Sequence, residues 1–312
     1  MSAPFYIVMN AGSGNADTAL REATAGEVLS AAGREFHLRL VEEPSQLPDI
    51  AAWAVREAGA NGGIVIAAGG DGTINAVAHH AVGSGCPFGV LPQGTFNYFG
   101  RTHGIPEDLA DAVRGLLDAR AEAVQVGMVN ERIFLVNASI GLYPTILEER
   151  EADKKQFGRS RIVAMLSALK TVLGAVRLLR ITVELDGVKR HLRTPTLFVG
   201  NNRLQLEQVG MPPLSAAVDE GELAAIAPKA VGRMGMLGLL LRGAFGQLGD
   251  AADVEAFSFR RMTVKRRALP GRHRIKVATD GEVHMMTMPL EFKAVEGKLL
   301  LLRPLPVPML DF

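Results

Sequence analysis

The 312-residue sequence has little cysteine, little net charge and no long apolar run, and each shortage excludes a class of protein. Cys86 is its single cysteine, so no disulfide can form within the chain, which favours a reducing compartment. A formal net charge of +1 gives no bulk attraction to nucleic acid. No window of about 18 residues is uninterruptedly apolar, and residues 1–9 lack the basic start of a signal peptide. These absences predict a cytoplasmic protein without a membrane span or a nucleic-acid partner.

The sequence is rich in glycine-containing loops. The most informative of them is Gly69-Gly70-Asp71-Gly72-Thr73. This motif follows the apolar run 63–68 and precedes a helix-like segment, Ile74–Ala78, which Thr73 is expected to cap. Bare backbone beside a helix N-terminus favours phosphate binding. Asp71 would repel a phosphate unless a cation lay between them, which predicts Mg²⁺-nucleotide chemistry. The alternative is a glycine-rich turn with an aspartate that caps a helix.

Two other strand-like runs end in loops of similar composition. Phe5–Met9 leads into Asn10-Ala11-Gly12-Ser13-Gly14, and Phe88–Pro92 leads into Gln93–Arg101. Between the strands come helix-like stretches at Thr18–Ala31 and Leu47–Ala60 and a further strand at Arg34–Val41, an alternation that predicts a parallel sheet. Because the carboxyl ends of parallel strands lie on one edge, the three loops are expected to share a ligand site.

Beyond residue 122 the pattern changes to many short strands with few helices between them. The candidates are Val124–Gly127, Arg132–Asn137, Ile181–Leu185, Thr196–Gly200, Ala256–Val264, Arg274–Thr279, Leu290–Ala294 and Leu299–Arg303, with a hairpin turn at Asp186-Gly187. This pattern predicts an antiparallel sandwich or barrel. The predicted fold class is therefore α/β plus β, with an α/β nucleotide-binding domain over 1–122 and a β-sandwich-like domain with helical insertions over 123–312.

The paired motifs Gly69–Asn75 and Leu91–Asn97 resemble those of the diacylglycerol kinase and sphingosine kinase catalytic family, in particular its soluble bacterial lipid kinases. Asn10–Gly14 is similar to the family's first nucleotide loop, with Ala11 where proline is usual. The resemblance extends from Asn10 to Glu282. It implies that ATP and Mg²⁺ bind in a cleft between two domains and that a phosphoryl group is transferred to a lipid hydroxyl, with diacylglycerol as the expected substrate type.

The resemblance also implies roles for individual residues. The expected nucleotide-binding residues are Asn10, Gly12, Ser13, Gly14, Gly69, Gly70, Asp71, Gly72, Thr73, Gly94, Thr95 and Asn97. Asp71 would act through Mg²⁺. The late Thr279-Asp280-Gly281-Glu282 segment matches the family's Asp-Gly-Glu motif, so Glu282 is the expected general base and Asp280 its supporting or metal-binding partner. The turn that contains Asp219 and Glu220 resembles a structural Mg²⁺ site, although an ordinary acidic turn explains it equally well.

Two residues depart from the family pattern. Ala76 stands where many relatives have glutamate, and Tyr98 stands where many bacterial members have an aspartate of a Mg²⁺ network. One alternative function is therefore an inactive regulator that binds nucleotide or lipid. Another is an NAD-kinase-like enzyme with the same glycine motif, although the Gly94–Asn97 block argues against it. The helix residues His79 and His80 are interpreted as surface residues rather than metal ligands.

Three segments suggest contact with lipid, and each has a simpler interpretation. Ile162–Val176 is an apolar stripe flanked by cations and Met236–Leu241 is apolar nearly all round, but packing on a sheet explains both helices. Residues 260–276 concentrate arginine and lysine, as two solvated edge strands would. The resemblance implies peripheral association with the inner membrane face and is compatible with a homodimer. The lipid stays open among sphingoid bases, acylglycerols, polyprenols and phosphatidylglycerol.

Overall fold

The computed structural model describes residues 3–13, 17–157, 178–185, 187–249, 251–267 and 273–305. The chain divides into two compact units, one of Met1–Val126 with Glu296–Phe312 and one of Gly127–Val295. The sequence places the first boundary at residue 122 and extends the second domain to 312. In the structure the residues from Glu296 onward belong to the first unit, because the last strand returns to its sheet.

A parallel sheet forms the first unit. Its strands β1 (Phe5–Asn10), β2 (Phe36–Val41), β3 (Ile64–Gly69) and β4 (Pro87–Pro92) lie in the order β2-β1-β3-β4. All three pairings are parallel, as the alternation of strands and helices predicts. Strands β1, β3 and β4 are buried along nearly their whole length, which explains their continuous apolar sequences.

Helices connect these strands. They are α1 (Thr18–Ala31), α2 (Leu47–Asn61), α3 (Asp71–Ala81), α4 (Tyr98–Thr102) and α5 (Leu109–Leu117), with a 3₁₀ turn at Pro44–Gln46. The prediction that Thr73 caps α3 is wrong, because the helix already begins at Asp71 and its N-cap is Gly70. The Thr73 hydroxyl instead accepts a hydrogen bond from another loop, described below.

Two antiparallel sheets form the second unit. Its elements are the end of β5 (Arg120–Val129), β6 (Arg132–Phe134), β7 (Asn137–Gly141), α6 (Leu142–Phe157), β8 (Leu179–Leu185), β9 (Val188–Thr194), β10 (Thr196–Gly200), α7 (Arg203–Gln208), α8 (Pro212–Asp219), β11 (Leu223–Pro228), α9 (Arg233–Ala244), β12 (Val254–Phe259), β13 (Arg261–Arg266), β14 (Arg274–Thr279), β15 (Glu282–Thr287) and the start of β16 (Leu290–Arg303). One sheet has the order β12-β11-β10-β7-β14-β15. The other places β16, β13, β8 and β9 side by side.

An apolar core lies between these sheets. Ile140, Leu197 and Val277 contribute from the first sheet, and Ile181 and Phe292 contribute from the second. Strands that alternate between this core and the other face build a β-sandwich. The predicted fold class is therefore confirmed.

Several predicted elements differ in their details. Ala256–Val264 is two strands, β12 and β13, which pair in different sheets, while Leu290–Ala294 and Leu299–Arg303 belong to the single strand β16. Strand β9 has no apolar alternation because it is an exposed edge strand, so the sequence does not predict it. The predicted turn at Asp186-Gly187 lies between β8 and β9, although Asp186 is outside the described residues.

The structure describes one of the two apolar helices that the sequence predicts. The Ile162–Val176 stripe lies outside the described residues. Met236–Leu241 lies within α9, where Leu239 is buried and Leu241 is exposed, as is Phe245 just after the helix. No helix in the described parts of the chain is long and apolar enough to cross a membrane.

Candidate functional site

The three predicted loops meet at the carboxyl edge of the parallel sheet. The Asn10 side-chain amide donates to Thr73 Oγ1 at 2.8 Å, which joins the first loop to the second. The amide of Gly70 lies 3.4 Å from Ser13 Oγ, a second link between the same loops. The amide of Gln93 donates to the Gly69 carbonyl at 2.8 Å and thereby joins the third loop to the second. The predicted convergence is therefore present in the structure.

Two glycines form the floor of this site. A Cβ atom on Gly94 would lie 2.8 Å from the Cα of Gly70, so no side chain fits between the two loops. Beside them begins α3, whose first-turn amides, at Asp71, Gly72 and Thr73, have no acceptor within the helix. Bare backbone at the N-terminus of a helix is suited to a phosphate group.

Asp71 lies at the start of α3 and faces the start of α4. Burial raises the pKa of its carboxyl, while hydrogen bonds from the backbone amides of Phe99, Tyr98 and Asn97 act in the opposite direction. The Phe99 amide lies 3.4 Å from Asp71 Oδ1. These three amides stabilise part of the negative charge of Asp71. The sequence alone predicts that a cation does so. One carboxylate, with phosphate oxygens and water, is still a usual ligand set for Mg²⁺, so the residue fits that role.

Asn10 holds the first loop in its conformation through two hydrogen bonds. Asn10 Oδ1 accepts from the Gly12 amide at 2.9 Å, and the Asn10 carbonyl accepts from the Ser13 amide at 3.2 Å. Both amides are therefore engaged within the loop, and the predicted phosphate contacts from them would require these bonds to be exchanged. Gly14, the last of the four residues expected to bind nucleotide in this loop, lies outside the described residues.

Asn97 closes the third loop. It is buried and has φ 49°, its Oδ1 accepts from the Gly94 amide at 2.8 Å, and its Nδ2 donates to the Gly94 carbonyl at 3.1 Å. Asn97 thus shapes the loop with its side chain. Thr95 at the tip of the loop is exposed, and the exposed Phe96 ring stacks on Tyr98 with centroids 5.7 Å apart.

Sequence reasoning missed a buried arginine beneath these loops. The guanidinium of Arg21 donates to the carbonyls of Asn10 and Ala11, at 3.3 and 3.0 Å, and to the side-chain oxygen of Gln93 at 2.6 Å. Arg21 is only 6% exposed, and burial lowers the pKa of its guanidinium, which Asp17 partly opposes. This side chain therefore connects the first loop to the third.

The sequence contains a signal for Arg21. Along α1 the buried positions are Arg21, Ala25 and Leu29, which follow one another at intervals of one helical turn. A charged residue in line with an apolar face is unusual, because a buried cation needs hydrogen-bond partners to offset the loss of water. That irregularity marks Arg21 as a residue with a specific structural or functional task.

In the second unit, the late Asp-Gly-Glu segment is a two-residue hairpin between β14 and β15. Asp280 and Gly281 both have positive φ, at 47° and 91°, as a type I′ turn requires. The Asp280 carboxylate is buried and accepts hydrogen bonds from the amides of Leu135, Val136 and Asn137 at 2.6 to 2.9 Å. Asp280 therefore fixes the hairpin tip to the segment between β6 and β7.

Glu282 is the first residue of β15, directly after that fixed tip. Its side chain is 47% exposed and lies 3.7 Å from His284 Nε2. Partial burial raises the pKa of the Glu282 carboxyl, and the nearby charge of Arg132 opposes the shift. A carboxylate with a raised pKa is a stronger base, which suits the predicted role.

The acidic turn after α8 offers less support for a metal. Asp219 Oδ2 lies 3.3 Å from the guanidinium of Arg203, and the Glu220 carbonyl accepts from Arg260. Across the described stretches of the chain, no group of three or more His, Cys, Asp and Glu side chains could hold a metal ion. The metal role of Asp219 and Glu220 therefore stays a prediction.

Comparison with known proteins identifies the region that carries the loops. Residues 4–129 match the family described as the diacylglycerol kinase catalytic domain. A protein of Pseudomonas aeruginosa strain UCBPP-PA14, named "Probable lipid kinase YegS-like", is 33% identical over 222 residues, which cover 69% of this chain and 70% of that protein. A protein of the same name from Klebsiella pneumoniae strain 342 is 33% identical over 153 residues, which cover 48% and 50%. The chain thus spans about half the length of this second relative.

The fold also has relatives among solved structures. The crystal structure of a diacylglycerol kinase from Bacillus anthracis strain Sterne superposes with a TM-score of 0.73 over 97% of both chains, at 19% sequence identity. At this low identity the likeness concerns the fold, and it covers both units of the chain.

Proposed function

The chain belongs to the diacylglycerol kinase catalytic domain family, and from that premise we propose that it is an ATP-dependent lipid kinase. The reaction would transfer the γ-phosphoryl group of ATP to a lipid hydroxyl, with diacylglycerol as the expected lipid type. The observation that carries the proposal is the glycine floor, where Gly70 and Gly94 approach each other beside the N-terminus of α3. This arrangement supports binding of a nucleoside triphosphate.

Within this proposal the first unit holds the phosphates. The first-turn amides of α3 and the bare backbone at Gly70 and Gly94 would donate to phosphate oxygens. The hydroxyl of Ser13 lies beside the Gly70 amide and would be a further donor. Mg²⁺ supplied with ATP would neutralise phosphate charge, and Asp71 is the carboxylate that we propose would hold it. Catalysis of this kind depends on positioning and charge stabilisation.

Glu282 is the proposed base. As the lipid oxygen forms its bond to the γ-phosphorus and the bond to the ADP oxygen breaks, the hydroxyl proton would pass to the Glu282 carboxylate. A positioned base contributes about 10²–10⁴-fold to such a step. Asp280 would act indirectly, since its carboxylate is occupied by three backbone amides and holds the hairpin that carries Glu282.

The test is a screen of a total lipid extract with radiolabelled ATP and Mg²⁺, followed by mass identification of any labelled lipid. Asp71→Asn is the matched control, because it keeps the size of the side chain and removes its charge. We expect one lipid class to be labelled by the wild-type protein and far less by the variant. Equal labelling by both proteins would remove Asp71 from the mechanism, and absence of labelling would contradict the proposal.

A regulator that binds nucleotide without turnover is the second candidate function, and Tyr98 is the observation that favours it. This side chain stacks on Phe96 at the position where many bacterial members have a Mg²⁺-network aspartate. Retained ATP binding with no turnover on any lipid would support the regulator. A thermal-shift comparison of NAD with ATP and Mg²⁺ would detect the remaining alternative, an NAD-kinase-like enzyme.

A further inference from the structure

An exposed aromatic ring lies on the third loop, close to the glycine floor. Phe96 is 42% exposed, and it is the only exposed phenylalanine in the described part of the first unit. It follows Gly94, which lies against Gly70, by two residues. A single exposed apolar side chain is ordinary on a protein surface. Phe96 differs from such a residue because the loop holds its ring in a defined orientation.

Asn97 sets that orientation. It is buried, and its side-chain amide bonds both to the N–H and to the carbonyl of Gly94, at 2.8 and 3.1 Å. The residues on either side of it, Phe96 and Tyr98, carry rings whose planes differ by only 8°. Nearly parallel planes with centroids 5.7 Å apart define an offset stack. Tyr98 therefore supports the Phe96 ring from one side.

Both ends of the third loop are fixed as well. At its start, the Gln93 amide donates to the Gly69 carbonyl, and the Gln93 side chain accepts from Arg21 at 2.6 Å. At its end, the backbone amides of residues 97–99 donate to the carboxylate of Asp71. The ring is thus held in place before any ligand arrives, so a ligand that covers it does not have to order the loop.

We propose that the base of a purine nucleotide stacks on Phe96 while its phosphates lie at the glycine floor. This inference rests on the proposed function and adds to it the residue that recognises the nucleoside. Two residues of chain from Gly94 to Phe96 span at most about 7 Å, a separation that the ribose between base and phosphates can bridge. Aromatic side chains bind bases through the faces of both rings.

An acyl chain of the lipid fits this position less well. It needs a continuous apolar surface, whereas the neighbours of Phe96 include the exposed Thr95 and the cation Arg101, whose guanidinium lies 3.5 Å from the Phe96 carbonyl. A parallel pair of rings is also suited to a further flat ring. A nucleoside combines a flat ring with polar groups and therefore matches both features.

Stacking recognises the face of a base and not its hydrogen-bonding edge, so it tolerates a change of base. Phe96 should therefore contribute equally to the binding of ATP and of GTP. It should contribute nothing to the binding of a triphosphate that carries no base. This difference separates a stacking role from a general role in the shape of the loop.

The experiment is isothermal titration calorimetry with ATP, GTP and inorganic tripolyphosphate, each with Mg²⁺ and without lipid. The wild-type protein is expected to bind both nucleotides more tightly than tripolyphosphate. Phe96→Ala should weaken ATP and GTP about five- to 150-fold and leave tripolyphosphate unchanged. Phe96→Tyr keeps a ring and should bind like wild type. The matched control is Phe245→Ala, which removes an exposed phenylalanine of the second unit and should change none of the three affinities.

An ATP affinity of Phe96→Ala equal to that of wild type would overturn the inference and leave the proposed function intact. If the KM for the lipid rose in that same variant, the ring would be assigned to the acyl chain. An equal loss for all three ligands would also overturn the inference, because the substitution would then have distorted the loop. A wild-type protein that binds none of the three would contradict the proposed function itself, and the inference with it.

Discussion

The charge of Asp71 is proposed to serve the reaction, and the same charge weakens the fold. Burial raises the pKa of its carboxyl, so the folded protein favours the protonated form more than the unfolded chain does. The protonated Asp71 carboxyl therefore adds to the free energy of unfolding at low pH, and this contribution is lost as pH rises through the raised pKa. At neutral pH the ionised carboxylate costs the protein stability, and the hydrogen bonds from the amides of residues 97–99 offset only part of that cost.

We predict that Asp71→Asn lowers kinase turnover by at least about 10²-fold while the melting temperature at pH 7 stays the same or rises. The variant removes the charge proposed to hold Mg²⁺, and it also removes the cost of burying that charge. Steady-state assays and thermal unfolding at pH 7 and pH 5 would measure both effects. A large fall in melting temperature at pH 7 would show instead that the ionised carboxylate stabilises the fold.

Arg21 is predicted to position the loops rather than to contact the reacting atoms. The planar guanidinium of Arg21 donates to the carbonyls of Asn10 and Ala11 and to the side chain of Gln93. The ammonium group of a lysine cannot reproduce this planar set of donors. Arg21→Lys should therefore raise KM for ATP about tenfold, equivalent to about 1.4 kcal/mol, with a smaller effect on kcat.

The control for this prediction is Arg114→Lys, because Arg114 is an exposed residue whose guanidinium contacts Asp111 on α5. It should leave KM and kcat unchanged. If Arg21→Lys lowers the melting temperature but leaves KM for ATP at the wild-type value, the residue stabilises the unit without arranging the nucleotide loops.

At the scale of elements, the β14–β15 hairpin depends on Asp280. The variant Asp280→Asn keeps one oxygen but places an amide nitrogen against a backbone N–H, because three amides converge on the native carboxylate. Leaving a buried donor without an acceptor costs about 1–3 kcal/mol. We therefore expect a lower melting temperature together with lower activity. Activity lost without any change in stability would indicate a direct chemical role for Asp280.

Glu282 on the same hairpin should behave differently. Because its side chain is half exposed and its charge is proposed to act on the substrate, Glu282→Gln should lower kcat by about 10²-fold with little change in KM for ATP or in stability. In the wild-type protein, activity should fall with decreasing pH at a value above the usual range for glutamate, because the pKa is raised.

Glu184→Gln is the matched control, since it neutralises a glutamate of the same unit that is paired with Lys265. Its kcat should equal that of the wild-type protein. If Glu282→Gln also keeps wild-type kcat, another group removes the proton and Glu282 is not the base.

For the molecule as a whole, His103 makes stability depend on pH. Burial and the nearby charge of Arg303 lower its pKa from 6.5 to about 4, so the fold favours the neutral ring. The unfolded chain binds a proton below about pH 6.5 and the folded protein does not, so stability falls as pH decreases from 6.5 towards 4.

We predict that His103→Gln reduces the difference in unfolding free energy between pH 7 and pH 5, because glutamine does not titrate. Urea unfolding at both pH values would measure it, with the half-exposed His37→Gln as the control. The same pH dependence in His103→Gln and wild type would mean that the ring takes up its proton without cost to the fold.

The sequence by itself determined the parallel sheet, the antiparallel second unit and the convergence of the Asn10, Gly69 and Gly94 loops. These features follow from local patterns, since periodicity of two or continuous apolar runs define strands, and parallel strands place their following loops on one edge. The edge strand β9 escaped prediction because an exposed strand has no apolar pattern.

Only the tertiary structure decided what individual polar side chains do. Arg21 meets Gln93, and Asp280 meets the Leu135–Asn137 amides, across more than seventy residues of sequence in the first case and more than a hundred and forty in the second. The sequence offered Asn97 as a nucleotide contact, which stays a prediction, and only the fold shows that its side chain accepts a hydrogen bond from the Gly94 amide. The physical reason is that burial obliges each polar group to find a partner, and the available partner depends on which loops the fold brings together.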